Sequence, residues 1–238
     1  MIGHERQSMK QVFYMVLPVL AFCILAFSST AEETGFVSIF DGVSLDGWEG
    51  KDGEWRVEDG AITAESTPEH PCPAAHYLYW EGGEPQDFIL RFAYKIQGEG
   101  GNSGVHFRSE TRPAWDIWGY QADIEKGKEW TGCLFQHDRG GVVMRGFKSY
   151  IDEEGRKTET VLDDPAKLLE AVHQDDWNTY EICARGTSIT LSINGQIMCS
   201  VEDHDKVFSR QKGHIALQMH PGPPMKIQFK DLRIKILE

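Results

Sequence analysis

From Phe36 onward the chain is written in short stretches where apolar and polar residues alternate, each closed by a turn signal. Alternation at period two sends successive side chains to opposite faces of a strand. Many short strands of this kind with regular turns leave an antiparallel sandwich or barrel as the natural outcome. The stretches are 36–40, 54–57, 61–64, 88–96, 104–108, 119–124, 132–136, 177–185, 188–193, 196–202, 213–219 and 226–237. Glu58-Asp-Gly60 and Asn194-Gly195 supply tight hairpin turns. One helix is expected over 165–172, with Asp164 as its cap and Pro165 at the first helical position. Residues 148–160 are charged without apolar periodicity and read as a surface loop. No internal repeat and no linker divides the chain.

The densest signal lies in Gly98-Glu-Gly-Gly-Asn-Ser-Gly-Val-His-Phe-Arg108. Four glycines in seven residues allow a sharp bend and close approach of the backbone to a ligand, with Asn102 and Ser103 at the bend. Past Gly104, alternation sets Val105 and Phe107 on one face and His106 and Arg108 on the other. The same logic opposes Tyr120, Ala122 and Ile124 to Gln121, Asp123 and Glu125, and Ile215, Leu217 and Met219 to His214, Gln218 and His220. Together these strands could build one polar face of amide, carboxylate, imidazole and guanidinium. Solvent-facing strands favour Thr, Lys and Ser, so this composition fits a sugar site better than a bare outer face. Trp115, Trp118 and Tyr120 cluster beside Arg112, Trp130 follows in the next loop, and such rings can stack on sugars. Gln136-His-Asp-Arg-Gly-Gly141 adds His137 and Arg139 at the mouth of a strand.

The N-terminus reads as an export signal rather than as fold. Lys10 precedes a sixteen-residue apolar run, 12–27, and Ser29-Thr-Ala31 places small residues at −3 and −1 of a cleavage point. The run contains Pro18 and is short for a span of about 20 residues. Residues 1–31 are therefore expected to be removed. Residues 32–238 form the expected single domain, secreted or periplasmic, with no membrane attachment after cleavage. Loss of two basic and one acidic residue takes the formal charge from −13 to −14. An acidic surface of that size argues against nucleic acid and anionic membranes as partners. Cys72, Cys133, Cys183 and Cys199 remain, and their pairing cannot be read from sequence. In a meander over 180–201, however, Cys183 and Cys199 fall two strands apart, too far for a disulfide.

An ordered set of segments carries a family resemblance. It opens with Gly35-Phe-Val-Ser-Ile-Phe-Asp-Gly-Val-Ser-Leu-Asp-Gly-Trp48, followed by Trp55-Arg-Val-Glu-Asp-Gly60, Asp87-Phe-Ile-Leu90, Gly101-Asn-Ser-Gly-Val-His-Phe-Arg108 and Gly119-Tyr-Gln-Ala-Asp123. It continues through Asp176-Trp-Asn178, Leu191-Ser-Ile-Asn-Gly195, Gly213-His-Ile-Ala-Leu-Gln-Met-His220 and Phe229-Lys-Asp-Leu-Arg-Ile234. Over about residues 35–238 the chain resembles the 3-keto-disaccharide hydrolase domain family. The resemblance implies an all-β, concanavalin-A-like antiparallel sandwich (a jelly roll) with a concave carbohydrate-binding face and one short helix in a loop. It also implies action on glycosides oxidised at C3. Near Gln136–Gly141 the chain departs from the family pattern, which carries an acidic residue there.

Gln121-Ala-Asp-Ile-Glu125 resembles the Glu-x-Asp-x-Glu strand of retaining β-glucanases, yet its first position is an amide that cannot be a nucleophile. A 3-keto sugar needs other groups: a base for the C2 proton, donors for the enolate oxygen, and an acid for the leaving oxygen. Arg108 and Asn102 suit the oxyanion role, His220 or Asp123 the base, and His106 or His137 the acid. Gln121 and Gln218 suit hydroxyl binding, as do Arg139 and Trp118 at the edge of the site. A divalent metal held by His and Asp could polarise the ketone, though no close ligand spacing such as His-x-x-x-His is present. Nothing resembles a Gly-rich nucleotide fingerprint, so a partner dehydrogenase would have to make the ketone. The competing class is a non-catalytic carbohydrate-binding domain, and a third is an exported structural domain without a ligand.

Export is checked by intact-mass measurement on protein from its native host, which should show a chain starting near Glu32. Recovery of the full-length chain in a membrane fraction would overturn the expectation.

Overall fold

The computed structural model describes residue 1 and residues 34–238. The export-signal expectation rests on residues 10–31, which lie outside the described residues. In chain order the strands are β1 (Val37–Ser38), β2 (Trp48–Gly50), β3 (Arg56–Glu58), β4 (Ala61–Glu65), β5 (His76–Trp80), β6 (Phe88–Gly98), β7 (Asn102–Arg112) and β8 (Asp116–Glu125). There follow β9 (Leu134–Gln136), β10 (Gly140–Val143), β11 (Phe147–Ile151), β12 (Lys157–Val161) and the helix α1 (Pro165–Glu170). The last strands are β13 (Asn178–Arg185), β14 (Ser188–Ile193), β15 (Gln196–Asp203), β16 (His214–Met219) and β17 (Met225–Ile236).

The strands form two sheets. The larger runs β12-β11-β15-β14-β13-β6-β17-β4-β3 with β1 beside β17, and the smaller runs β10-β9-β8-β7-β16-β5-β2. All pairs are antiparallel except β11 with β15. The inward faces share one apolar layer. Leu90, Phe92, Ile182, Leu191 and Phe229 from the larger sheet meet Val105, Phe107, Tyr120, Ala122, Ile124 and Leu217 from the smaller, all buried. Phe88 of β6 meets Phe107 of β7 edge-on at 6.2 Å between ring centroids, across the seam. The expected all-β sandwich with one short helix is what the chain forms, and Asp164 caps that helix by accepting from the Ala166 N–H.

Three details depart from the sequence reading. Residues 148–160 are not a loop but the hairpin β11–β12, held in five-residue register at a sheet edge. Every residue of β12 is exposed, so no face had to be apolar and no periodicity marked it. Nor is the Gly98–Gly101 bend the glycine-rich hairpin loop that its composition also allows. It carries the chain from β6 in the larger sheet to β7 in the smaller. Gly98 and Gly101 sit at φ 132° and 116°, and a Cβ on Gly98 would lie 2.6 Å from the Pro224 carbonyl oxygen. Cys183 and Cys199 are separated by β14, and all four described cysteines are unpaired.

The third departure concerns Arg108, expected beside His106 on the polar face. The β7–β8 register slips between Phe107 and Glu110, and Arg108 takes φ 47°. This bulge swings the side chain off the alternation and toward the other sheet. Its guanidinium donates to the Gln86 carbonyl at 2.9 and 2.8 Å, to that of Gly186 at 2.7 Å and to the Asp87 carboxylate at 3.1 Å. Asp87 precedes β6 and Gly186 turns β13 into β14, so Arg108 ties the smaller sheet to the larger. Arg139 does likewise from the β9–β10 turn, donating to Asp203 of β15. Both are structural ties rather than sugar-facing groups.

Phe107→Ala should cost about 3–5 kcal/mol through the cavity it leaves. Arg108→Ala should cost a similar ~3–5 kcal/mol by stranding its buried partners, and Arg108→Lys should restore little of the fork. Denaturant unfolding checks both, and an Arg108→Ala midpoint equal to wild type would overturn the tie.

Candidate functional site

On the outer face of the smaller sheet, cross-strand register lines up two rows of residues. One row is Asp123–Gly104–Gln218–Tyr77 and the other Phe135–Gln121–His106–Ala216–Tyr79. Cross-strand partners share a face, so the period-two expectation for β7, β8 and β16 holds for all but Arg108. Of these, Gln121, Asp123, Gln218 and Tyr77 floor a cavity of about 390 Å³, and Asn102, Glu125, Trp130, Phe135, His137 and His220 are among its walls.

The floor is a network of neutral amides around one carboxyl group. Gln121 Nε2 donates to Asp123 Oδ1 at 2.9 Å and to Gln218 Oε1 at 3.0 Å, and Gln218 Nε2 returns a bond to Gln121 Oε1 at 3.3 Å. Gln218 Nε2 also donates to the Tyr77 hydroxyl at 3.4 Å, and Asn102 Nδ2 to Asp123 Oδ1 at 3.4 Å. Gly104 makes the network possible, because a Cβ there would lie 2.6 Å from Gln121 Nε2. Among the described residues, no cation pairs with Asp123. Its burial pushes its pKa well above the ordinary carboxylate range, with nearby Glu125 adding to the rise. Both amide bonds fall on Oδ1, leaving Oδ2 as the place for a proton.

Imidazoles stand over this floor. The Nδ1 of exposed His220 lies 2.6 Å from the Pro221 carbonyl oxygen. A carbonyl can only accept, so Nδ1 carries a proton, and in the neutral ring Nε2 is the nitrogen with a free lone pair. His137 is stacked on His106 at 5.3 Å and meets Phe135 edge-on at 5.7 Å, which orients its ring. Burial lowers the His137 pKa. His106 itself lies beneath, fully buried against Tyr77, with neither ring nitrogen hydrogen-bonded. Burial, then the adjacent His137 imidazole, holds it well below the ordinary histidine range and therefore neutral. It supports the wall and does not reach the cavity. Trp118 is likewise drawn away, its indole N–H on Asp138 and its ring 4.1 Å from the Arg210 guanidinium.

The structure thus gathers Asn102, Gln121, Asp123, Gln218, His137 and His220, and leaves Arg108, Arg139, Trp118 and His106 outside the cavity. Two lining residues, Tyr77 and Phe135, escape a reading by motifs, while Trp130 belongs with the aromatics noted after Trp118. Tyr77 sits in Ala75-His-Tyr-Leu-Tyr-Trp80, whose alternation marks β5 and could have found it. Phe135 alternates with Leu134 and Gln136 on β9. Trp130 is presented by a loop that Glu125 fastens, its carboxylate accepting from the Glu129 and Trp130 N–H groups at 3.0 and 2.9 Å. Among the described residues, no group of three or more His, Cys, Asp or Glu side chains gathers closely enough to hold a metal ion.

A family profile described as the 3-keto-alpha-glucoside-1,2-lyase-like domain matches residues 35–235. No curated protein matches the chain. Among solved structures, two described as a "putative glycosyl hydrolase" from Parabacteroides distasonis are similar. One has TM-score 0.57 and 16% identity over 87% of this chain and 96% of its own; the other has TM-score 0.56 and 18% identity over 85% and 99%. Carbohydrate-binding module CBM66 from Bacillus subtilis is similar at TM-score 0.52 and 12% identity, over 79% of this chain and 95% of its own. At such identities the likeness is one of fold, the concanavalin-A-like sandwich.

The state of Asp123 has a thermodynamic signature. An unfolded aspartate loses its proton near pH 3.9, whereas the folded one holds it to higher pH. Across that window unfolding releases a proton, so stability falls as pH rises and levels off above the folded pKa. Asp123→Asn should remove this slope, raising stability at neutral to alkaline pH and leaving it unchanged near pH 4. Equal pH dependence in the two proteins would show that Asp123 ionises normally.

Proposed function

Since the chain belongs to the 3-keto-alpha-glucoside-1,2-lyase-like domain family, we propose that it cleaves glycosides already oxidised at C3, by elimination across C1 and C2. The observation that carries the reading is Asp123: a buried carboxyl group without a cationic partner, set among neutral amides and with the Glu125 carboxylate also lining the cavity. Such a group stays protonated and can donate a hydrogen bond where negative charge develops. A 3-ketone makes the C2 proton acidic. In the proposed sequence His220 Nε2 removes that proton, and the ketone oxygen gains the charge of an enolate, stabilised by the Asp123 Oδ2–H. The enolate re-forms the ketone as the C1–O bond breaks, with His137 giving a proton to the departing oxygen from its protonated form, which burial makes the minor one. The products are an enone and a free hydroxyl compound, and water adding at C1 completes hydrolysis. Asn102, Gln121, Gln218 and Tyr77 hold the sugar hydroxyls, and Trp130 offers a ring for stacking.

This assignment replaces the guanidinium oxyanion site expected from sequence with a neutral acid. The oxidation at C3 is assigned to a separate dehydrogenase, and the work is placed outside the cytoplasm, following the N-terminal pattern. A carbohydrate-binding module shares the fold, so fold alone does not separate an enzyme from a binder. Amide-only floors suffice for binding, however, whereas an unpaired buried carboxyl group beside two imidazoles adds titratable chemistry.

The test is turnover of a 3-keto-glucoside in deuterated water against its unoxidised parent. The released 3-keto sugar should carry deuterium at C2 in short incubations corrected for uncatalysed exchange. His220→Ala should lower turnover by about 10²–10⁴, and Asp123→Ala by about 10²–10³. Activity should fall as pH rises through the elevated Asp123 pKa, and Asp123→Asn should abolish that alkaline limb. Equal cleavage of the unoxidised glucoside without C2 label would favour direct displacement, and binding without cleavage would favour the module.

A further inference from the structure

The outer face carries a second and larger hollow, of about 560 Å³. Its floor is aromatic: the rings of Tyr79 and Trp115 lie 6.1 Å apart between centroids, tilted by 37°. Glu49, Glu81, Arg112 and His214 stand around them. The turn that supplies Trp115 is held in a costly shape. Ala114 and Trp115 both take left-handed φ values, 63° and 60°, which residues with a Cβ adopt only when their surroundings over-determine them. One such constraint is visible, since the Tyr79 hydroxyl donates to the Asp116 carbonyl at 2.8 Å and fastens the turn to β5. The result is an indole folded back over the sheet and half-buried, rather than extended into solvent.

The two hollows adjoin. Tyr77 lines the first and Tyr79 the second, their ring centroids 6.4 Å apart on alternate positions of β5. On β16, Gln218 belongs to the first and His214 to the second, four residues or roughly 13 Å of strand away. That span exceeds a single pyranose ring. The chemistry of the second hollow suits a neutral polyol. Ring faces take sugar C–H faces. Carboxylates accept from hydroxyls and the guanidinium donates to them. An anion would meet Glu49 and Glu81, and a cation would meet Arg112.

We infer that the second hollow is a distal sugar subsite, so that the substrate is a saccharide at least three residues long with its oxidised sugar in the first cavity. The inference rests on reading that cavity as the site of the oxidised sugar. Trp115 and Tyr79 provide the platform, and Arg112 and the two glutamates select by hydroxyl pattern.

The test compares C3-oxidised methyl glucoside with C3-oxidised glucotrioses, and in parallel titrates unoxidised maltotriose, cellotriose and laminaritriose by calorimetry. Wild type should favour a trisaccharide over the methyl glycoside through KM. Trp115→Ala should erase that preference, about a ten-fold loss for the trisaccharide, with Trp115→Phe retaining part of it and thermal unfolding verifying both folds. Trisaccharide binding that depends on Trp115, without any cleavage of oxidised substrates, would leave the subsite standing and remove the proposed reaction. Cleavage that ignores length in wild type and in Trp115→Ala would keep the reaction and overturn the subsite. Binding of an aromatic glucoside in place of every trisaccharide would overturn it too, by making the platform a site for an aromatic leaving group.

Discussion

Two sheets share one apolar layer, and that layer decides what the outer face can be. Each strand of the smaller sheet must give alternate residues to the seam between sheets, where Phe107, Tyr120 and Leu217 lie buried. The intervening residues have no choice but the other side. There Gln121, Asp123 and Gln218 are themselves nearly solvent-free, so each must find partners among the others or bear the cost of lost hydration. The reciprocal carboxamides meet that demand without charge. Asp123 meets it less completely, and its raised pKa is the remainder. A group that fits its surroundings poorly in its ionised form is a group available for proton chemistry.

The division of faces was legible because period two survives wherever the ladder is regular. For β16, and for β8 from Tyr120 to Glu125, the face of each side chain followed from alternation alone. It failed at Arg108, where a bulge inserts backbone that no local composition announces. Val-His-Phe-Arg reads as four alternating residues, and only the register to Glu110 reveals the slip. Arg139 was misplaced for a related reason. A guanidinium in a turn looks sugar-facing until its carboxylate partner, 64 residues away, is known.

Other features were hidden by burial on both sides. His106 alternates correctly onto the outer face, but Tyr77 and His137 close over it. Alternation names a face and not a depth, so it could not tell a floor-supporting imidazole from one that touches ligand. The hairpin β11–β12 was invisible for the opposite reason, having an outer strand with nothing to bury.

The placement of β6 bears on how the chain can come together. Its two neighbours in the larger sheet are β13 and β17, so residues 88–98 pair with residues 178–184 and 225–236. The middle of that sheet is therefore built from segments 80 to nearly 150 positions apart in the chain, with the final strand among them. Contacts of such sequence separation form slowly and late. During synthesis, one edge of β6 stays open until β13 appears and the other until residues 225–236 have left the ribosome. In that interval its apolar, unpaired edges are the part of the nascent chain most prone to wrong association. Removing even the C-terminal strand would thus withdraw the closing partner of the central strand, rather than trim a margin.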